Sequence, residues 1–167
     1  MPVASFAKSL PVAHVLLDLD VSSKKRLFEQ IGLLFENENK IARAAVFDAL
    51  FAREKLGSTG LGHGVAIPHG RIKNLRETVA VFIRTKEGVP FESPDGQAVR
   101  LVFAMLVPEH ATEQHLNLLS ELAQVFSDEN LRDALLAERD NARAHDMLIY
   151  GSTSGSTNAA AQRSAAV

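Results

Sequence analysis

The chain contains no cysteine and no tryptophan, and only one tyrosine. Without cysteine there is no disulfide framework, no thiolate nucleophile, no iron–sulfur cluster and no cysteine zinc site, and the composition fits a reducing compartment. An excess of one charge is missing too: 18 Lys plus Arg stand against 20 Asp plus Glu, a net of -2. That balance argues against nucleic acid or an anionic membrane as a bulk electrostatic partner. No run approaches the roughly 18 consecutive apolar residues of a membrane helix. Residues 1–13, with one charge at Lys8, lack the basic region and continuous apolar run of a signal peptide. The expectation is a cytoplasmic protein with no membrane insertion.

What is present is a 167-residue chain, 46% hydrophobic and 23% charged, an ordinary profile for a soluble domain. At this size a globule buries about 69% of its unfolded surface, enough for one core. The expected organisation is a single domain over residues 1–150 and a flexible tail over 151–167. The tail is mostly Gly, Ser, Thr and Ala, too poor in apolar surface to order itself.

Hydrophobic spacing supplies the elements. A short apolar segment, 14–20, leads to the N-cap candidates Ser22 and Ser23. Leu27, Phe28, Ile31, Leu34 and Phe35 then fall on one helical face. A second helix is expected over 42–56, with Val46, Phe47, Leu50 and Phe51 buried and Gly57 as its C-cap. Residues 58–71 break the pattern around a short strand, 65–67. Residues 78–85 and the nearly continuous apolar run 99–107 read as strands, the second covered on both faces. From Thr112, a candidate N-cap, the helical period returns, with His115, Leu118, Leu119, Leu122 and Phe126 on one face. Ser127 and Asn141 are candidate caps of two further helices. Helices, strands, then helices predict an α/β sandwich, one sheet with helices on its faces.

Six histidines are the candidates for chemistry: His14, His63, His69, His110, His115 and His145. His14 and His145 have no context that suggests a role. His69 closes the expected buried strand, follows Pro68 and precedes Gly70-Arg71. The proline stiffens the backbone that carries the imidazole, the glycine permits close approach, and Arg71 is a planar cation able to hold two phosphoryl oxygens. His115 is expected in the first turn of its helix, facing the sheet, where free N–H groups and the helix dipole favour an anion.

The segment Ser58-Thr59-Gly60-Leu61-Gly62-His63-Gly64-Val65-Ala66-Ile67-Pro68-His69-Gly70-Arg71 resembles the signature of the phosphotransferase-system enzyme IIA family of the fructose, mannitol and nitrogen-regulatory type. Gly88-Val89-Pro90-Phe91, Leu106-Val107-Pro108-Glu109, Thr112-Glu113-Gln114-His115-Leu116 and Leu17-Asp18-Leu19-Asp20 extend the similarity over about residues 10–150. The resemblance implies a mixed sheet flanked by helices, in three layers. It also implies phosphorylation of His69, with His115, Arg71 and Arg53 stabilising the phosphoryl group, and gives His63 no catalytic role. The implied donor is a small HPr-type phosphocarrier protein, and the implied transfer uses no metal or other cofactor. The stretch from Arg53 to Thr59 looks more like the nitrogen-regulatory type, which implies a regulatory switch acting on target proteins such as transporters or kinases. A stand-alone sugar-specific IIA component passing phosphate to a IIB domain is the alternative.

Two other classes compete. His63, His69, His110 and His115 would supply a metal-dependent hydrolase, yet their spacings are not the helical HExxH pair and no acidic ligand stands in register. A binding module whose glycine-rich loop cradles an anion without covalent chemistry is the other.

Overall fold

In a computed structural model, residues 3–151 are described; the expected tail, apart from Gly151, lies outside them. A six-stranded mixed sheet forms the middle layer. Its strands are β1 (Val15–Leu19), β2 (Gly60–Gly62), β3 (Val65–Ala66), β4 (His69–Ile72), β5 (Val79–Val89) and β6 (Val99–Pro108). The order is β1-β5-β6-β3-β2, with β4 pairing β6 beside β3. Five helices flank it: α1 (Lys24–Asn39), α2 (Arg43–Glu54), α3 (Thr112–Val125), α4 (Glu129–Ala137) and α5 (Asn141–Tyr150).

Each face of the sheet has its own core. Phe28, Ile31 and Phe35 of α1 and Val46 and Leu50 of α2 cover one side, meeting Val81, Ile83, Val102 and Ala104. Leu118, Leu122, Leu131, Leu135 and Leu148 from α3, α4 and α5 cover the other, with Phe82, Phe103 and Met105. Every residue from Leu101 to Val107 is buried, so the continuous apolar run is a central strand between two helical layers. Each fully buried large side chain contributes about 1.5–3 kcal/mol of apolar burial. The expected three-layer α/β architecture is the observed one.

Several local expectations need correction. Ser23 does cap α1, accepting from the Arg26 N–H at 3.1 Å. The cap of α4 is Asp128 rather than Ser127, and the cap of α5 is Asp140 rather than Asn141. In both cases a carboxylate beside the expected residue takes the amides, and Asn141 instead donates from Nδ2 to the Val15 carbonyl at 2.7 Å. Thr112 is the first residue of α3, behind Ala111, and makes no side-chain cap. Leu56 lies outside α2 and is 84% exposed.

The glycine-rich stretch is more ordered than its pattern suggests. Gly60 pairs with Ala66, antiparallel, while β3 and β4 both run parallel to β6. The pairs Ala66↔Val102 and His69↔Met105 keep one register, so β3 and β4 are a single strand interrupted at Ile67-Pro68. His69 therefore opens β4 rather than closing the preceding strand.

Candidate functional site

The site is assembled by α2, β4 and the start of α3. Met105 N–H donates to the Pro68 carbonyl at 3.0 Å, which anchors the interruption to β6. The Ile67 carbonyl is left to accept from His69 Nδ1 at 2.7 Å. A carbonyl only accepts, so Nδ1 carries the proton and Nε2 keeps its lone pair. Sterics fix the neighbouring elements: a Cβ on Gly70 would lie 2.8 Å from Ala49 Cβ and 2.9 Å from its carbonyl carbon. The close approach that Gly70 permits is thus to α2, not to a ligand.

His115 comes down on His69 from α3. The two rings are 4.9 Å apart, edge to face at 71°, and both residues are buried. The helix position differs by one from the expectation: His115 is the fourth helical residue, and its N–H already donates to the Ala111 carbonyl at 3.0 Å. Its contribution is therefore the side chain rather than a free amide. Arg71 Nη2 lies 3.4 Å from His115 Nδ1. Because guanidinium only donates, Nδ1 is the acceptor and His115 presents Nε2–H, which is buried with no hydrogen-bond partner. A buried N–H without an acceptor is costly and marks the place where an oxygen is expected.

Arg71 also donates from Nη1 to the Glu109 carbonyl at 2.9 Å. Arg53, in the last turn of α2, donates from Nη1 to the Gly57 carbonyl at 2.7 Å. With His69 and His115 these two arginines line one open cleft of ≈ 540 Å³. Its remaining walls are mostly apolar: Ala49, Ala52, Leu56, Leu116 and Leu119. All four candidate residues, His69, His115, Arg71 and Arg53, meet here.

Burial lowers the pKa of His69 below the ordinary 6.5; the Ile67 carbonyl and the Glu54 carboxylate oppose the shift, while Arg53 and Arg71 add to it. For His115, burial first, then His69, Arg71 and Arg53, push the value down to about 4. Both imidazoles are thus held neutral, one offering a lone pair and the other an N–H.

The remaining histidines stand apart. His14 is buried, with Nδ1 on the Ala80 carbonyl at 2.8 Å, and His145 Nε2 reaches the Leu10 carbonyl at 2.7 Å. His63 takes a left-handed turn (φ 57°), its N–H held by Asp95 Oδ2 at 2.8 Å. His110 is exposed beside Glu109. Among the described residues no three His, Asp or Glu side chains gather as a metal site, and no helix is long and apolar enough to cross a membrane.

The sequence reading missed Glu54. It is buried, accepts from Thr59 N–H and Thr59 Oγ1, and pairs with Lys24 Nζ at 3.0 Å. A signal existed: a glutamate in the last turn of a helix faces the unfavourable end of the dipole, which calls for dedicated donors.

Residues 8–150 match the family described as phosphoenolpyruvate-dependent sugar phosphotransferase system, EIIA 2. A nitrogen regulatory protein of Bradyrhizobium diazoefficiens is 38% identical over 134 residues, covering 80% of this chain and 88% of that one. The crystal structure of nitrogen regulatory protein IIA-Ntr from Neisseria meningitidis superposes with a TM-score of 0.83 at 50% identity, over 87% of this chain and 99% of that one. A mannitol IIA from Escherichia coli, determined in complex with phosphorylated IIB, shares the fold at 23% identity and a TM-score of 0.66, over 83% of this chain and 94% of that one.

Proposed function

Because this chain belongs to the EIIA 2 family of the phosphoenolpyruvate-dependent sugar phosphotransferase system, we propose that it is a regulatory phosphocarrier whose acceptor atom is His69 Nε2. The observation that carries the reading is the pinned proton: Nδ1–H is bonded to the Ile67 carbonyl, and Nε2 is left as the nucleophile in a cleft with two guanidinium groups. A neutral imidazole needs no base, unlike a serine hydroxyl. The site's task is alignment and charge stabilisation.

In the proposed step the Nε2 lone pair attacks the phosphorus of a donor phosphohistidine. The donor ring is protonated on its other nitrogen. Its P–N bond breaks with the electron pair on the donor nitrogen, which leaves that ring neutral. The His69 ring, keeping Nδ1–H on the Ile67 carbonyl, takes over the positive charge. Arg71, Arg53 and the free His115 Nε2–H serve the phosphoryl oxygens. The donor is a small HPr-type carrier protein meeting the cytoplasmic chain on the apolar rim of the cleft, in a transient interface at the small end of the range. The phosphoryl group places about two negative charges at one surface point, which admit or exclude target proteins. Similarity to the nitrogen regulatory proteins of Bradyrhizobium diazoefficiens and Neisseria meningitidis supports the regulatory role.

Similarity to a fructose-specific EIIA component of Haloferax volcanii, 30% identical over 149 residues, supports a second reading, a sugar-specific IIA that hands phosphate to IIB. The test is intact mass after incubation with phosphoenolpyruvate, enzyme I and an HPr-type carrier. Acid-labile gain of one phosphate, absent from His69→Ala, is expected. Loss of that phosphate to an added IIB domain would favour the sugar route. No gain with any carrier would leave a non-covalent anion-binding module.

A further inference from the structure

The site contains a buried charge that touches no part of the cleft surface. Glu54 follows Arg53 in the last turn of α2, and its side chain is 4% exposed. Oε1 accepts from Thr59 Oγ1 at 2.7 Å, and Oε2 from Thr59 N–H and Lys24 Nζ, each at 3.0 Å. The Thr59 carbonyl accepts the Ile67 N–H at 3.0 Å, and the Ile67 carbonyl accepts His69 Nδ1–H at 2.7 Å. Four groups are thus connected in series, from a carboxylate to the imidazole proton. We propose that Glu54 is a positioning residue for phosphoryl acceptance: by holding Thr59 on both its amide and its hydroxyl, it fixes the backbone of Ile67, whose carbonyl decides which nitrogen of His69 is protonated.

A buried ion pair is by itself a weak source of stability, so the Lys24 contact does not account for a carboxylate here. The helix dipole also disfavours an acid there. The expenditure is explained when the carboxylate's two bonds to Thr59 are spent on the backbone that aims His69. Its charge acts in the same direction, opposing Arg53 on α2 and Arg71 on β4 at a ring that His115 faces from α3.

This inference rests on the reading of His69 Nε2 as acceptor, and its test separates the two. Imidazole ¹⁵N NMR of the full chain reports the His69 tautomer and midpoint without any phosphate, and intact mass against time reports acceptance. For Glu54→Gln, which keeps one oxygen acceptor but not two, an Nε2–H population should appear, the His69 midpoint should fall, and phosphate gain should slow about 10- to 100-fold. Should Glu54→Gln fail to fold, the double variant Lys24→Met with Glu54→Gln removes both charges together and carries the same expectations. An unchanged tautomer, or an unchanged rate, in a folded variant overturns the proposal. A wild type that shows the Nδ1–H tautomer yet never gains phosphate refutes the acceptor reading and with it the role in acceptance, while the tautomer of the variant still tells whether Glu54 holds His69.

Discussion

His14 and His69 are both buried, and both give Nδ1–H to a backbone carbonyl, of Ala80 and of Ile67. Around His14 the neighbour ring is Phe35, 6.1 Å away and nearly perpendicular. Around His69 the neighbours are His115, Arg53 and Arg71, at the wall of an open cleft. Burial and a fixed tautomer therefore do not set His69 apart as the proposed phosphoryl acceptor. The distinguishing features are access from one side and cations that remain uncommitted to carboxylates.

The sharpest way to break this comparison is to truncate each ring. His69→Ala should lose phosphate gain entirely while His14→Ala keeps it; conversely His14→Ala should lower unfolding free energy by about 1–3 kcal/mol through its lost buried bond. Equal phosphorylation of both variants would refute the distinction. Next in size is Arg71→Ala, which removes a guanidinium from the cleft wall and should slow transfer about 10²- to 10³-fold, measured as the initial rate of mass gain. A smaller effect is steric. Gly70→Ala drives a methyl into Ala49 and should cost about 1–3 kcal/mol in a denaturant titration, with α2 and its Arg53 displaced from the cleft.

A last effect, comparable in size, is in pH. His115 has a folded value of about 4 against an ordinary 6.5, so between these values the unfolded chain binds a proton that the folded chain refuses. Its contribution is fully present above pH 6.5 and is lost as pH falls toward 4, by roughly 1–3 kcal/mol. His69 shifts in the same direction. In denaturant titrations across that window, His115→Phe should flatten the slope; an unchanged slope would remove His115 as its source.

The two layers and the central strand were legible because they obey a period. Apolar residues of α1 recur on one face, and β6 is apolar throughout. The same logic placed His115 toward the sheet. Strand β2 was not legible, since Gly-Leu-Gly has no alternation to detect. The α4 and α5 caps were misplaced by one residue because adjacent polar residues are both competent caps, and only the backbone decides between Ser127 and Asp128 or between Asp140 and Asn141. His69, His115, Arg71 and Arg53 followed from family resemblance more than from pattern. Their convergence is a property of three separate elements, which no local spacing encodes. Glu54 stayed hidden because a charge near a helix end is ordinarily solvated.

The interrupted strand formed by β3 and β4 carries a consequence for how this chain tolerates change in length. The two pieces share one register on β6 across the interruption at Ile67-Pro68, where the Pro68 carbonyl still accepts from Met105 N–H. Side chains alternate faces along a strand, so one residue added or removed at this junction would invert His69 and turn the imidazole from the α3 side to the other layer. The segment Val65–His69 is in effect a measuring gauge. Natural or engineered diversification of this protein is expected to spare its length while varying its surroundings, and an insertion there would take the imidazole out of the cleft and disturb the buried Val65, Ala66 and Ile67 as well.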